Sequence, residues 1–184
     1  SPSWSSDGNR LVFSRFLGST SCRQSPFGCL TEDELRARFG GRDCLPSPFG
    51  TLCIADFPRV DLERTGLTEI GADGQGWTDL PAPQDAQSPA WRPVADEIAL
   101  LGGGRLQVTG LDRQPQPLAA EPWTLSPAWS TDGSRMVAQR RVHDNWELVL
   151  LDASGATVRQ LTATESDEVA ATWSPDGSRI LFLS

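Results

Sequence analysis

The 184-residue sequence holds one histidine, His143, and no Gly-x-Ser-x-Gly phrase. A serine triad needs an imidazole base and a nucleophile on a sharp elbow, so no such machinery is expected and no catalytic residue is assigned. Basic residues are few, 16 against 24 acidic ones, for a net charge of −8. That balance excludes the positive footprint nucleic-acid binding requires. It describes a solvated acidic surface, open at most to basic or cationic partners. No apolar run approaches the roughly 20 residues that span a bilayer, so no membrane insertion is expected of this segment. The chain opens on Ser1 without a signal peptide, which points to a mature or trimmed part of a longer protein. Cysteine is absent except at Cys22, Cys29, Cys44 and Cys53.

What is present is repetition. Residues 126–162 read as one complete four-stranded unit, and pieces of it recur at Ser1, at Ser88 and from Ala171. Self-similarity at a period of about 40 residues marks a propeller or a solenoid. Each unit opens on a strand carrying a tryptophan, Trp4, Trp91, Trp129 or Trp173. A tight turn follows in three of them, at Asp7-Gly8, Asp132-Gly133 and Asp176-Gly177. Then comes an apolar run such as Leu11, Val12 and Phe13. A strand apolar on both sides of its pleat must be covered on both faces, and radially stacked blades supply that cover.

Residues 16–65 interrupt the first repeat. Thr31 can cap a short helix there, with Glu32, Asp33 and Glu34 at its positive end, Leu35 and Phe39 on its buried face, and Gly40-Gly41 stopping it. Residues 52–57 read as a further strand. The phrase Ser-Pro-Phe-Gly occurs twice, at Ser25 and Ser47, and suggests two similar turns. Trp4 and Trp91 stand 87 residues apart, which fits one blade plus a large insertion better than two blades, because no Trp-Ser-x-Asp-Gly phrase lies between. Residues 67–72 and 77–80 then supply the third and outermost strands of blade one. Blade two, 88–119, replaces the Asp-Gly turn with Arg92-Pro93-Val94-Ala95-Asp96 and ends on a proline-bearing edge. Blade four stops after two strands.

The expected fold is therefore all-β: a partial β-propeller of about three and a half four-stranded blades, with a cysteine-containing insertion bearing a short helix. Residues 1–184 form part of one propeller domain, and 16–65 are an insertion within its first blade. The remaining blades are expected from more chain or, less favoured, another copy.

The phrase Pro-x-Trp-Ser-x-Asp-Gly-x-Arg, an apolar strand, Asp-x-x-Gly and a closing Leu-Thr resemble the TolB-type WD40-like (PD40) propeller repeat. Pro127 to Arg135, Trp173 to Arg179, Asp152 to Gly155, Leu161-Thr162 and Pro2 to Arg10 carry the match; blade two keeps only its outline after Trp91. The resemblance covers most of the chain outside 16–65. It implies an extracytoplasmic protein-binding platform, periplasmic or secreted. Related repeats form the substrate-gating propeller of prolyl-oligopeptidase-like peptidases.

Each candidate residue has two readings. The four tryptophans could form an aromatic ligand surface; packing between blades, each ring burying about 150–250 Å², explains them better. Asp7, Asp132 and Asp176 could line a site, but a turn role beside Gly8, Gly133 and Gly177 is favoured, and their spacing shares little with a calcium loop. His143, next to Asp144, reads as a solvated loop residue. Gly102-Gly103-Gly104 lacks the Lys-Ser/Thr and helix of a phosphate loop. The cysteine gaps, six and eight intervening residues, do not suit zinc, so disulfides are expected, in an oxidising compartment; three connectivities are open, and the local one, Cys22–Cys29 with Cys44–Cys53, is favoured. No metal or cofactor is assigned.

The function expected is non-enzymatic protein or peptide binding, through loops at one propeller face and the insertion around 31–43. The alternatives are the propeller portion of a larger hydrolase, or a sensor domain fused to a membrane signalling protein.

Overall fold

The computed structural model describes residues 2–25, 28–47, 50–120 and 124–184, without the side chains of Thr20, Cys29, Ser47 and Leu62. In chain order the elements begin with β1 (Ser3–Trp4), β2 (Arg10–Ser25), β3 (Gly28–Leu30), α1 (Glu32–Arg38), β4 (Cys44–Ser47), β5 (Gly50–Cys53) and β6 (Arg59–Gly71). They continue with β7 (Thr78–Leu80), β8 (Gln87–Trp91), β9 (Glu97–Gly102), β10 (Arg105–Gly110), β11 (Gln116–Pro117) and β12 (Thr124–Trp129). Last come β13 (Arg135–Val142), β14 (Asn145–Asp152), β15 (Thr157–Gln160), β16 (Val169–Trp173) and β17 (Ile180–Leu183). The chain divides into two compact units, Ser1–Phe16 with Thr65–Ser184, and Leu17–Arg64.

The first unit is built of successive antiparallel sheets, ordered β1-β2-β6-β7, β8-β9-β10-β11, β12-β13-β14-β15 and β16-β17. This is the β-propeller arrangement. Ile98, Ala99 and Leu100 are all buried in β9, as are Met136, Val137 and Ala138 in β13. Consecutive buried residues point to opposite faces, so these strands are covered on both sides. One apolar cluster joins Val12, Leu67 and Leu80 to Trp91 and Ile98. A second joins Ala99 and Leu106 to Trp129, Met136 and Val149, and a third joins Val137 and Leu148 to Ala171. Each cluster seals one sheet against the next, at about 1.5–3 kcal/mol per large aliphatic side chain.

The second unit has its own core of Leu35, Phe39, Ile54 and Phe57. Thr31 caps α1 in a reciprocal box: its Oγ1 accepts from Glu34 N (3.2 Å), and its own N–H donates to Glu34 Oε2 (2.8 Å). The Thr31 N–H first, then its hydroxyl, which also donates to Glu34 Oε2 (2.9 Å), lower the Glu34 carboxyl below its ordinary range. Cys44 and Cys53 stand opposite one another at the ends of the β4–β5 hairpin and are disulfide-bonded. The Cys22–Cys29 pairing falls on a side chain outside the described residues. Both Ser-Pro-Phe-Gly phrases sit at hairpin ends, since Ser25 pairs with Gly28 and Ser47 with Gly50; the residues between each pair lie outside the described set.

One expectation needs correction. Residues 52–57 are not one strand: β5 ends at Cys53, and Ile54–Asp56 is a 3-10 turn. The Asp56 carboxylate accepts from Cys53 N (2.7 Å), which rewards the turn over an extended chain. At both ends of the 16–65 segment the chain stays in strand. β2 continues to Ser25 and β6 begins at Arg59, with Gln24 N donating to Pro58 O (2.9 Å). Continued ladder bonds keep those strands extended.

Candidate functional site

Four inner strands, β1, β8, β12 and β16, line a groove of about 560 Å³. Each of the last three has a bulge: the register slips between Gln87 and Ala90, between Leu125 and Ala128, and between Val169 and Thr172. At each slip one non-glycine residue takes a left-handed conformation: Ser88 (φ 49°), Ser126 (φ 49°) and Ala170 (φ 54°). Such a conformation costs about 1–2 kcal/mol per residue, and it recurs three residues before each tryptophan. In two of the bulges the next residue is proline, Pro89 or Pro127, which has no N–H to leave unpaired. The groove is lined by bulge backbone and by Pro, Ala, Ser, Thr and Gln side chains, with Trp91 and Trp129 behind. No described residue lining it titrates. The surface can hydrogen-bond and cover an extended segment, but it offers no general acid or base.

The tryptophans fix those strands. Trp129 Nε1 donates to Ala90 O (3.2 Å) and Trp173 Nε1 to Ala128 O (3.0 Å), so each indole reaches the inner strand of the preceding repeat. Trp91 is 4% exposed and lies under Arg10, whose guanidinium carbon is 4.7 Å from the ring centroid. Its main-chain N–H donates to Ser3 Oγ (2.9 Å), while Nε1 has no partner among the described residues. Trp173 is half-buried. Trp4 departs from its expected core role, at 57% exposed. The others lie against the sheet of the repeat before them, and for Trp4 no such sheet is among the described residues.

The Asp-Gly turns are hydrogen-bonded alike. Asp132 Oδ1 accepts from Ser130 Oγ (2.6 Å) and Ser134 N (3.0 Å), and Asp176 Oδ1 from Ser174 Oγ (2.6 Å) and Ser178 N (3.0 Å). Asp7 Oδ1 accepts from Ser5 Oγ (2.5 Å) and Asn9 N (3.0 Å). The serine hydroxyl first, then the backbone N–H, lower each of these carboxyls from 3.8 to about 2. Gly8, Gly133 and Gly177 follow with φ of 70°, 65° and 69°. At Gly133 a side chain would also meet Val94 of the preceding repeat, at 2.7 Å.

No family model matches the chain. Among curated proteins, the Tol-Pal system protein TolB of Anaeromyxobacter dehalogenans is 38% identical over 94 residues, 47% of this chain and 21% of that protein. A candidate TolB from Agrobacterium tumefaciens superposes with a TM-score of 0.60 at 13% identity, over 99% of this chain and 68% of its own. The repeats resemble those of TolB-type β-propellers. The chain thus matches only about a fifth of the length of that curated relative. The acylaminoacyl peptidase of Pyrococcus horikoshii superposes with a TM-score of 0.54 at 12% identity, over 98% of this chain and 26% of that one, a likeness of fold.

Within this propeller, blade two keeps the turn by other means. Arg92 Nη1 pairs with Glu97 Oε2 (2.7 Å) and Arg113 Nη2 with Glu97 Oε1 (2.9 Å), lowering the Glu97 carboxyl, Arg113 first. His143 is exposed in the β13–β14 turn at φ 55°. Gly103 and Gly104 form the β9–β10 hairpin, with Gly103 N donating to Asp85. Among the described residues, no helix is long and apolar enough to cross a membrane. The left-handed residues escaped sequence reasoning; the recurring Ser-Pro ahead of the tryptophan was their one visible trace.

Proposed function

We propose that this chain is a non-enzymatic, protein-binding part of a TolB-like propeller in an extracytoplasmic protein. Residues 1–184 are part of one propeller domain and 16–65 an insertion in its first blade, bearing a separately cored recognition element. The partner is a protein or peptide, engaged as an extended segment along the inner-strand groove. One observation carries the reading: the groove combines recurrent left-handed bulges with a lining that does not titrate. The Cys44–Cys53 disulfide supports an oxidising compartment.

Thr172 is exposed at the groove, so Thr172→Arg should fill it without disturbing the core. Capture of partners from a cell-envelope extract should fall about tenfold or more while circular dichroism stays unchanged. Equal capture by both proteins would exclude the groove. The fold likeness to a peptidase propeller supports a second reading, the gating part of a larger hydrolase. A nucleophile elbow in the flanking coding sequence would select it.

A further inference from the structure

A second polar site lies where the third repeat meets the fourth. The segment after β15 runs back along β14: Thr162 Oγ1 accepts from Leu148 N (2.8 Å), and Glu168 N donates to Trp146 O (2.7 Å). This brings together two glutamates, Glu147 and Glu168, 3% and 1% exposed. Thr164 bridges them, its N–H bonding one carboxyl and its hydroxyl the other. Glu147 Oε2 accepts from Thr162 Oγ1 (2.6 Å) and its Oε1 from Thr164 N (3.0 Å). Glu168 Oε1 accepts from Thr164 Oγ1 (2.6 Å) and Ser184 Oγ (3.1 Å). Glu168 Oε2 is buried with no partner among the described residues.

Every donor to these carboxylates is a neutral hydroxyl or amide, and none of the ion pairs among the described residues involves either glutamate. The Thr164 hydroxyl holds Glu168 below the ordinary carboxylate range. Burying negative charge beside a second carboxyl is strongly unfavourable, and the cation opposite Glu147 in the ladder, Arg140, donates instead to Thr157 Oγ1 (3.1 Å). The repeat does not require the pair. At the ladder position of Glu147, blade two has Arg105, and five residues before Trp91 and Trp129 stand Ala86 and Thr124. Beside Glu147 and Thr164 a cleft opens, bordered by Asn145 and Gln160, through which a solvated ion can enter.

We propose that Glu147 and Glu168, with the hydroxyl oxygens of Thr162 and Thr164, bind a hard divalent cation, Ca²⁺ in the first instance. Two carboxylates match its charge. An all-oxygen donor set selects hard cations over Zn²⁺ or Cu²⁺, and waters from the cleft complete the shell. The ion fastens the start of the fourth repeat to β14. This goes beyond the binding role proposed above and does not depend on it.

Trp146 adjoins Glu147, so Tb³⁺ can be used as a luminescent probe excited through that indole. In the chelator-treated full chain, Tb³⁺ should give sensitised emission that Ca²⁺ displaces, and Ca²⁺ alone should raise Tm until the site saturates. Glu168→Gln keeps the shape of the side chain and should weaken Tb³⁺ binding at least tenfold, as should Glu147→Gln. Should a variant fail to fold, the emission and Tm response of the unaltered chain still decide. Absent emission, or emission unchanged in folded Glu168→Gln, overturns the proposal. So does stabilisation by mild acid in place of Ca²⁺, which would mean that the two carboxyls share a proton.

Discussion

The turns at 92–97 and 130–135 occupy the same place in neighbouring repeats and are held by different chemistry. Both close with the same bond, Arg92 N to Glu97 O and Ser130 N to Arg135 O, each 2.8 Å. In blade three a carboxylate inside the loop gathers a hydroxyl and an amide, and Gly133 takes the left-handed step. In blade two an ion pair links the feet of the loop, and Ala95 is not among the described residues with positive φ. Loop length and the closing bond are what the sheet demands; the filling can be exchanged. One feature survives the exchange. Arg10, at the far foot of the first turn, stacks on Trp91, and Arg92, at the near foot of the second, stacks on Trp129 at 4.9 Å. Blade two puts Glu97 where the other turns have arginine and moves its guanidinium to the other foot, so a cation still covers the next indole.

Removing the platform under the second turn should have the largest effect. Trp129 is 7% exposed and Trp4 57%. Trp129→Ala should cost about 3–5 kcal/mol in urea unfolding, through lost burial and an unfilled cavity. Trp4→Ala should stay within about 0.5 kcal/mol, as surface changes do. Equal losses would mean that the indoles do not act through the sheet of the repeat before them.

The next effect separates the two fillings. Arg92→Ala removes the pair with Glu97, the bond from Nε to Gly133 O (2.9 Å) and the stack on Trp129. About 1–2 kcal/mol should be lost, and less at high salt, because both partners are partly exposed and screened. Lysine should not restore it, lacking the planar fork that bonds and stacks at once. Ser130→Ala should cost about 1 kcal/mol with little salt dependence, since its partners form a local hydrogen-bonded turn. The same salt response in both variants would erase the distinction.

These contrasts also show how far the sequence could be read. The sheets, the helix capped by Thr31 and the Cys44–Cys53 bridge are local, written in spacing, capping residues and nearby cysteines. Trp91 and Trp129 could be placed between sheets because one blade cannot cover its own two faces. Trp4, with the same local text, lies exposed, because burial depends on a neighbour and not on the phrase. The continuation of β2 and β6 depends on pairing between residues far apart in sequence, which no local pattern announces. The left-handed Ser88, Ser126 and Ala170 were hidden for another reason: none is a glycine, and their conformation is imposed by the bulge. Glu147 and Glu168, 21 residues apart, meet only when the returning segment is laid along β14.

Acid should give the smallest effect and the finest discrimination. Asp132 titrates near 2 when folded against an ordinary 3.8, so folding favours its charged form. Its contribution is complete above about pH 4 and is lost as pH falls from 3.8 toward 2. Asp132→Asn should therefore be less stable than the unaltered chain at neutral pH, and the two should converge on acidification through that window. Glu97 is also depressed, by Arg113 and then Arg92, so Glu97→Gln should converge in the same direction. Salt tells the two apart. The Glu97 contribution comes from partly exposed guanidinium groups and should shrink in concentrated salt, whereas that of Asp132 comes from a neighbouring hydroxyl and amides and should persist. Unfolding midpoints measured between pH 2 and pH 6, at low and high salt, test this, and loss of both differences in salt would mean that one electrostatic mechanism holds both turns.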